Sequence, residues 1–81
     1  MIKQARLENL IRALAREGLN EFKAVELTDE RHGLMVKHDY SGLYPSRDAL
    51  AKCEQARKIA ERFKMYSEPR GNKTATLIYL D

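Results

Sequence analysis

The sequence predicts one small α+β domain, a two-layer sandwich in which two helices pack on one face of a mostly antiparallel sheet. Three observations support the order α-β-β-α-β-β. Apolar residues recur at helical spacing in two segments, and a pair of strand-like runs follows each segment. Gly, Pro and Asn fall between these runs, where turns are needed. A chain of 81 residues has room for a single domain, so we expect residues 1–81 to fold as one unit.

The first helix is predicted over residues 2–17. Its apolar residues are spaced i, i+3, i+4 and i+7 and form one stripe: Leu7, Leu10, Ile11 and Leu14. Gly18 suits the left-handed position just past a helix end, and Leu19 can then fold back onto the helix as in a Schellman motif. Arg12 and Arg16 form a basic pair outside the apolar stripe.

Two strands are predicted to follow, over residues 22–28 and 34–40. The second of them alternates apolar and polar residues, which is typical of a strand with one buried face. The polar segment 29–33 between them ends in Gly, so the simplest arrangement is a hairpin with a five-residue loop. The first strand is ambiguous, because residues 20–27 can also form a short helix.

The second helix is predicted to begin at Arg47 and to end at about Phe63 or Lys64. Ser46 is a favourable N-cap, and Asp48 in the first turn suits the positive end of the helix dipole. At about 100° per residue, one face of this helix carries mostly small side chains. These are Ala49, Cys53, Ala56, Ile59, Ala60 and Phe63. A face of small residues allows the helix to lie close on a sheet, and we expect Cys53 to be a buried packing residue there.

The last two strands are predicted over residues 65–67 and 74–80, around turn residues 68–73. Pro, Gly and Asn in the turn segment favour a change of chain direction. In residues 74–80 both alternating sets of side chains are fairly apolar. A strand that is buried on both faces has this pattern, so this strand is predicted to lie centrally in the sheet.

The excess of basic residues lies in the second half of the chain. The net charge is +3, and residues 45–81 contain eight basic and five acidic residues. Such an excess indicates an anionic partner, although a solvated helix face has the same pattern. The candidate binding residues on the second helix and the hairpin tip are Arg57, Lys58, Arg62, Arg70 and Lys73. Tyr44 joins them because an aromatic ring in a turn can stack on a base or anchor a protein contact. Tyr40, Tyr66 and Tyr79 share this chemistry.

The sequence has no catalytic or metal-binding pattern. Cys53 is the only cysteine, which excludes an internal disulfide and a cysteine-based zinc cluster. His32 and His38 are six residues apart, which matches no helical ligand pair, and the glycines do not form a phosphate-binding loop. A pair of Cys53 and His38 lacks a third group to orient it. We therefore expect no enzyme activity, no metal and no cofactor.

One polar segment offers a different chemistry. Glu30, Arg31 and His32 supply an acid, a cation and a base, which is the set that a small metal-independent ribonuclease would need. A hairpin tip is also polar simply because it is hydrated. A nuclease-type toxin is therefore kept as a third hypothesis.

These observations favour a small non-enzymatic binding module. Its expected partner is a nucleic acid or a nucleic-acid-associated protein, bound through the basic helix face and the hairpin tip. The alternative is a protein-binding inhibitor or adaptor, of the kind found among phage and plasmid accessory proteins. No apolar run approaches a membrane span and the first residues do not resemble a signal peptide, so we expect a cytoplasmic protein without a membrane partner. The oligomeric state and the identity of the partner are left open.

Overall fold

The structure is a computed structural model that describes residues 4–28, 31–38 and 46–80. Its elements in chain order are α1 (Gln4–Arg16), β1 (Phe22–Thr28), β2 (Arg31–Lys37), α2 (Arg47–Arg62), β3 (Ser67–Arg70) and β4 (Ala75–Tyr79). The predicted order α-β-β-α-β-β and the α+β class are therefore confirmed. Residues 20–27, which the sequence left open between strand and helix, contribute to strand β1.

The four strands form one antiparallel sheet in the order β1-β2-β4-β3. β4 lies between β2 and β3, so the prediction that the last strand is central is confirmed. β2 and β3 are both antiparallel to β4 and hence parallel to each other. Helix α2 connects them, which makes a split β-α-β unit with β4 inserted in its middle.

Helix α1 ends in the predicted Schellman motif. Gly18 has φ = 79°, in the left-handed region where glycine carries no steric penalty. The Leu19 amide donates to the Leu14 carbonyl at 2.9 Å, and the Gly18 amide donates to the Ala15 carbonyl at 3.0 Å. These two bonds satisfy carbonyls at the end of the helix and bring Leu19 into the core, where it is fully buried.

Helix α2 begins as the sequence predicts and packs with its small side chains. The Ser46 hydroxyl accepts a hydrogen bond from the Ala49 amide at 3.1 Å, which satisfies one of the free amides of the first turn. On the predicted face, Ala49, Ala56, Ile59 and Ala60 are buried. Cys53 and Phe63 on the same face are only partly buried.

A single hydrophobic core lies between the helices and one face of the sheet. It combines apolar residues of both helices with residues of the two central strands: Leu10, Leu14, Leu19, Leu34, Val36, Ala56, Ile59, Ala60 and Ile78. Because α1 and α2 share this cluster, both pack on the same side of the sheet, as predicted. The opposite side of the sheet is covered by neither helix.

The first hairpin has a shorter loop than predicted. β2 begins at Arg31 rather than at Leu34, so the last three residues of the predicted five-residue loop belong to the strand. Gly33 pairs with Val25, and the ladder continues past them with a register shift in β1 between Glu26 and Thr28. Continued pairing satisfies backbone groups that a loop would leave to water. The last two residues of the predicted strand 34–40 lie outside the described residues.

The second hairpin also differs from its predicted limits. The prediction placed a strand at 65–67 and a turn at 68–73, whereas β3 is Ser67–Arg70 and the turn follows it. Pro69 is tolerated because β3 is an edge strand. On such a strand the proline nitrogen, which carries no proton, can face away from the sheet, so that no hydrogen bond to β4 is lost. The turn itself is closed by the Thr74 amide, which donates to the Gly71 carbonyl at 3.1 Å.

The close packing of α2 can be tested by enlarging a buried alanine. We expect Ala56→Leu to lower the free energy of unfolding by about 1–3 kcal/mol, because Ala56 is completely buried and the new side chain would overpack the core. Ala51→Leu is the matched control, since Ala51 is exposed on the same helix. It should change stability by less than about 0.5 kcal/mol. Equal urea-unfolding midpoints for the two variants would contradict the packing of this face.

Candidate functional site

The structure distributes the predicted basic residues over separate surfaces. Arg62 lies in a groove between α1 and α2, which we call the helix groove. Arg57 and Lys73 lie in a second groove on the other flank of α2, the hairpin groove. Arg70 alternates with the core-facing residues of β3 and so lies on the side of the sheet opposite the helices, which we call the open sheet face. Lys58 is exposed on α2 between the two flanks, and Tyr44 lies outside the described residues.

The helix groove is the most cationic of these surfaces. Its volume is about 530 Å³, and its lining residues are Asn9, Arg12, Ala13, Arg16, Glu17, Arg62 and Phe63. Arg12 and Arg16 are one helical turn apart, so their side chains lie on the same flank of α1. Arg62 approaches them from the end of α2. Among residues 4–28, 31–38 and 46–80, no carboxylate forms an ion pair with any of the three guanidinium groups.

Backbone chemistry explains why arginines can collect here. Arg16 lies in the last turn of α1 and Arg62 in the last turn of α2, where the negative end of each helix dipole stabilises a cation. Arg6 of α1 also donates a hydrogen bond to the Phe63 carbonyl oxygen at the end of α2. That contact satisfies a carbonyl that α2 itself leaves free and ties the two helices together beside the groove.

In the hairpin groove the main cation is already neutralised. Arg57 is paired with Glu54 and, at 2.8 Å, with Glu61. The hydrogen bond with Glu54 and the charges of both carboxylates raise the pKa of Arg57. The same hydrogen bond, helped by the charge of Lys73 nearby, lowers the pKa of Glu54. An incoming anion would have to compete with these two carboxylates for Arg57.

The hairpin groove is otherwise mixed in character. Its volume is about 460 Å³, and its remaining lining residues are Leu50, Cys53, Ser67, Pro69 and Thr76. Leu50 is 41% exposed, which is unusual for so large an apolar side chain in this chain. The groove therefore combines a paired charge with apolar surface rather than an unpaired cationic cluster.

On the open sheet face, Arg70 belongs to a small cluster with two tyrosines. Arg70 forms an ion pair with Glu68, and the Tyr79 hydroxyl donates to the Glu68 carboxylate at 2.7 Å. The ring of Tyr66 packs against that of Tyr79, with centroids 5.3 Å apart and planes tilted by 43°. Tyr66 is nevertheless 68% exposed. The sequence pointed to these tyrosines but did not separate base stacking, protein contact and core packing for them.

The structure brings Cys53 and His38 close to each other through a third residue. The Thr76 hydroxyl donates to Cys53 Sγ at 3.4 Å, and His38 Nε2 lies 2.7 Å from the same Thr76 oxygen. With the Thr76 proton directed at sulfur, His38 donates from Nε2, and its buried Nδ1 has no hydrogen-bond partner. Thr76 thus separates the imidazole from the thiol. These three residues form a partly buried polar contact between α2 and the sheet.

The environment of His38 favours the neutral imidazole. Its side chain is buried, and burial lowers the pKa of His38 because a charged ring would lose its hydration. The positive charge of Lys52 nearby lowers that pKa further. Sequence reasoning did not find this contact, because it depends on the pairing of β2 with β4.

Arg31 and His32, two residues of the nuclease hypothesis, lie next to each other on β2. They are neighbours on one strand, so their side chains point to opposite sides of the sheet. His32 is partly buried and Arg31 is exposed. Glu30 lies outside the described residues. No group of three or more histidine, cysteine or acidic side chains that could hold a metal ion occurs in the part of the chain that the structure describes.

The burial of His38 predicts a dependence of stability on pH. An ordinary histidine in the unfolded chain has a pKa near 6.5, whereas that of His38 in the folded state is lower. Its contribution to stability is therefore complete above about pH 6.5 and is lost as the pH falls through the lower folded-state pKa. We expect the free energy of unfolding by urea to fall as the pH is lowered from about 6.5 to about 5.

Two variants test whether His38 is the source of this pH dependence of stability. His38→Gln should flatten the pH dependence, whereas His32→Gln, which leaves His38 in place, should retain it. If both variants keep the slope of the unmodified protein, His38 is not its source. Because the two changes remove the same chemical group, other titrating residues contribute equally to both measurements.

Comparison of the chain with models of protein families, with curated proteins and with solved structures found no match. Of the helices described, none is long and apolar enough to cross a membrane. The function is therefore inferred from the surfaces themselves. Among them, the helix groove is the one where several cations meet without carboxylates bound to them.

Proposed function

We propose that this protein is a non-enzymatic binding module whose helix groove holds the phosphate backbone of a nucleic acid. One observation supports this above the others. Arg12, Arg16 and Arg62 line a single groove without an ion pair to any described carboxylate, whereas Arg57 and Arg70 each have carboxylate partners. Unpaired guanidinium groups are free to bind an anion without first losing a partner.

The chemistry of the groove suits phosphate. A guanidinium presents several N–H donors in a planar fork that matches the oxygens of a phosphate. Three such groups on two helices can contact neighbouring phosphates of one strand, and Asn9 adds a neutral donor. Contacts of this kind position a protein on the backbone and do not read the sequence. The proposed binding is therefore independent of base sequence.

The proposal retains part of the set expected from the sequence and extends it. Arg62 is in the groove, and Lys58 lies one turn before it on the exposed side of α2, so that it prolongs the cationic surface. Arg12 and Arg16 are added because the fold brings α1 beside the end of α2. Arg57, Arg70 and Lys73 lie outside the helix groove and are not part of this proposal, and the measurement below tests Arg57 against the groove.

Salt dependence tests the proposal directly. For three phosphate contacts on single-stranded DNA, log affinity should fall with log salt concentration at a slope of about −2, since each contact contributes about −0.7. Arg12→Ala and Arg62→Ala should each make the slope shallower by about 0.7 and weaken binding to all sequences alike. Fluorescence anisotropy with a labelled oligonucleotide, starting at about 50 mM salt, measures both quantities.

Arg57→Ala is the charge-matched control. It removes the same unit of charge from the opposite flank of α2 and should leave the slope nearly unchanged. A loss of slope in Arg57→Ala equal to that in Arg62→Ala would assign binding to the hairpin groove instead. If no nucleic acid binds above background at about 50 mM salt, the protein-binding inhibitor or adaptor replaces this proposal, with exposed Leu50 as its first candidate contact.

A further inference from the structure

The helix groove contains one carboxylate among its arginines. Its charged lining residues are the cationic Arg12, Arg16 and Arg62 and the anionic Glu17. Within residues 4–28, 31–38 and 46–80, Glu17 forms no ion pair with a basic side chain, just as the three arginines form none with a carboxylate. A carboxylate at this place repels a phosphate, so phosphate binding alone does not account for it.

The position of Glu17 follows from the way α1 ends. Its amide donates to the Leu14 carbonyl at 3.1 Å, which keeps the chain in a helical turn just past Arg16. Glu17 therefore continues a row of groove-lining residues that are four apart: Asn9, Ala13 and Glu17. We call this the inner row, because Ala13 in its middle packs against the hydrophobic core.

The arginines stand on either side of this inner row. Arg12 and Arg16 are exposed on α1, and Arg62 comes from the end of α2. Arg16 and Glu17 are consecutive residues that line the same groove, so a ligand that reaches the Arg16 guanidinium lies close to the Glu17 carboxylate. Ala13 carries only a methyl group, which leaves space in the inner row. The ligand that suits this arrangement has an anion and a hydrogen-bond donor next to each other.

The ribose of RNA supplies this combination. Its 2′-hydroxyl is bound to the carbon next to the one that carries the 3′-phosphate, so every ribonucleotide presents a donor beside an anion. Carboxylates accept ribose hydroxyls in dinucleotide-binding sites, and a hydrogen bond to a charged acceptor is stronger than one between neutral groups. Deoxyribose has no such hydroxyl, so the Glu17 carboxylate would only repel the phosphates of DNA. The 2′-hydroxyl is also the same on every nucleotide, which agrees with contacts that do not read the bases.

We propose that the helix groove binds RNA in preference to DNA, with the Glu17 carboxylate accepting a hydrogen bond from a ribose 2′-hydroxyl. Arg12, Arg16 and Arg62 hold the phosphates on either side of that ribose. The 2′-hydroxyl is the group by which a protein distinguishes RNA from DNA at a given position. This inference rests on the proposed function and adds the chemical class of the nucleic acid and the residue that selects it.

The test compares three labelled single strands of about 12 nucleotides by fluorescence anisotropy at about 50 mM salt. They are oligouridylate, its 2′-O-methyl form and oligodeoxyuridylate, which have the same bases and the same number of phosphates. The 2′-O-methyl strand keeps the sugar pucker of RNA but has no hydroxyl proton to donate. We expect oligouridylate to bind about 10-fold more tightly than either of the other two, which is the contribution of one hydrogen bond to a charged group at the lower end of its range.

Two variants assign the preference to Glu17. Glu17→Ala should weaken the binding of oligouridylate and strengthen that of oligodeoxyuridylate until the two are equal, because it removes both the acceptor and the repulsion. A merely structural role of Glu17 would not move the two affinities in opposite directions. Glu8→Ala is the charge-matched control, since Glu8 is exposed on α1 and does not line the groove. It should keep the ratio of the two affinities, and a loss of the ratio in both variants would contradict the assignment.

The outcomes with the unmodified protein separate this inference from the proposed function, and they do not depend on any variant folding. Equal affinity for all three strands, with the salt slope of about −2 retained, overturns the role of Glu17 and leaves phosphate binding intact. If the 2′-O-methyl strand binds as tightly as oligouridylate, the preference comes from sugar pucker and the hydrogen bond is overturned. If none of the three strands binds above background, the proposed function itself fails.

Discussion

The close approach of α2 to the sheet is the contact on which the rest of the structure depends. Ala49, Ala56 and Ala60 have no exposed surface at all, so only methyl groups separate this part of the helix from its neighbours. Helix α1 packs beside α2 in the same core. A groove lies on each flank of α2, the helix groove towards α1 and the hairpin groove towards β3 and β4. Both grooves are therefore placed by the way α2 is seated in the fold.

Electrostatic pairing distinguishes these surfaces more sharply than the amount of basic charge does. Arg57 has carboxylates one turn away on both sides along α2, and both are used. Arg70 and Glu68 meet because they are two residues apart on one strand and so share a face of the sheet. In the helix groove, Arg12, Arg16 and Arg62 form no ion pair with any carboxylate of the described residues. Local spacing of opposite charges thus decides which cations remain available to a ligand.

The sequence was sufficient for the element order, for the end of α1 and for the start of α2, because helical periodicity, Gly18 and the Ser46 cap are local signals. Strand limits were less well predicted, since Gly33 and Pro69 resemble turn residues and are accommodated only by their particular positions in the sheet. The ion pairs of Arg57 could have been found from sequence spacing alone. The meeting of Arg62 with the first helix could not, because it depends on tertiary packing between distant segments. The same holds for the contact of His38 with Thr76, which requires β2 to pair with β4.

The two outer strands also bear on how the molecule behaves in a crowded solution. A free strand edge offers unpaired amides and carbonyls to any neighbouring chain, and sheets can grow from such edges into aggregates. Pro69 removes one amide from the β3 edge, so an added strand would meet a position without a donor. At the other edge, the register shift between Glu26 and Thr28 bends β1 and increases its local twist, which disturbs the regular spacing that a docking strand requires. Each edge thus carries an irregularity that opposes polymerisation of the sheet.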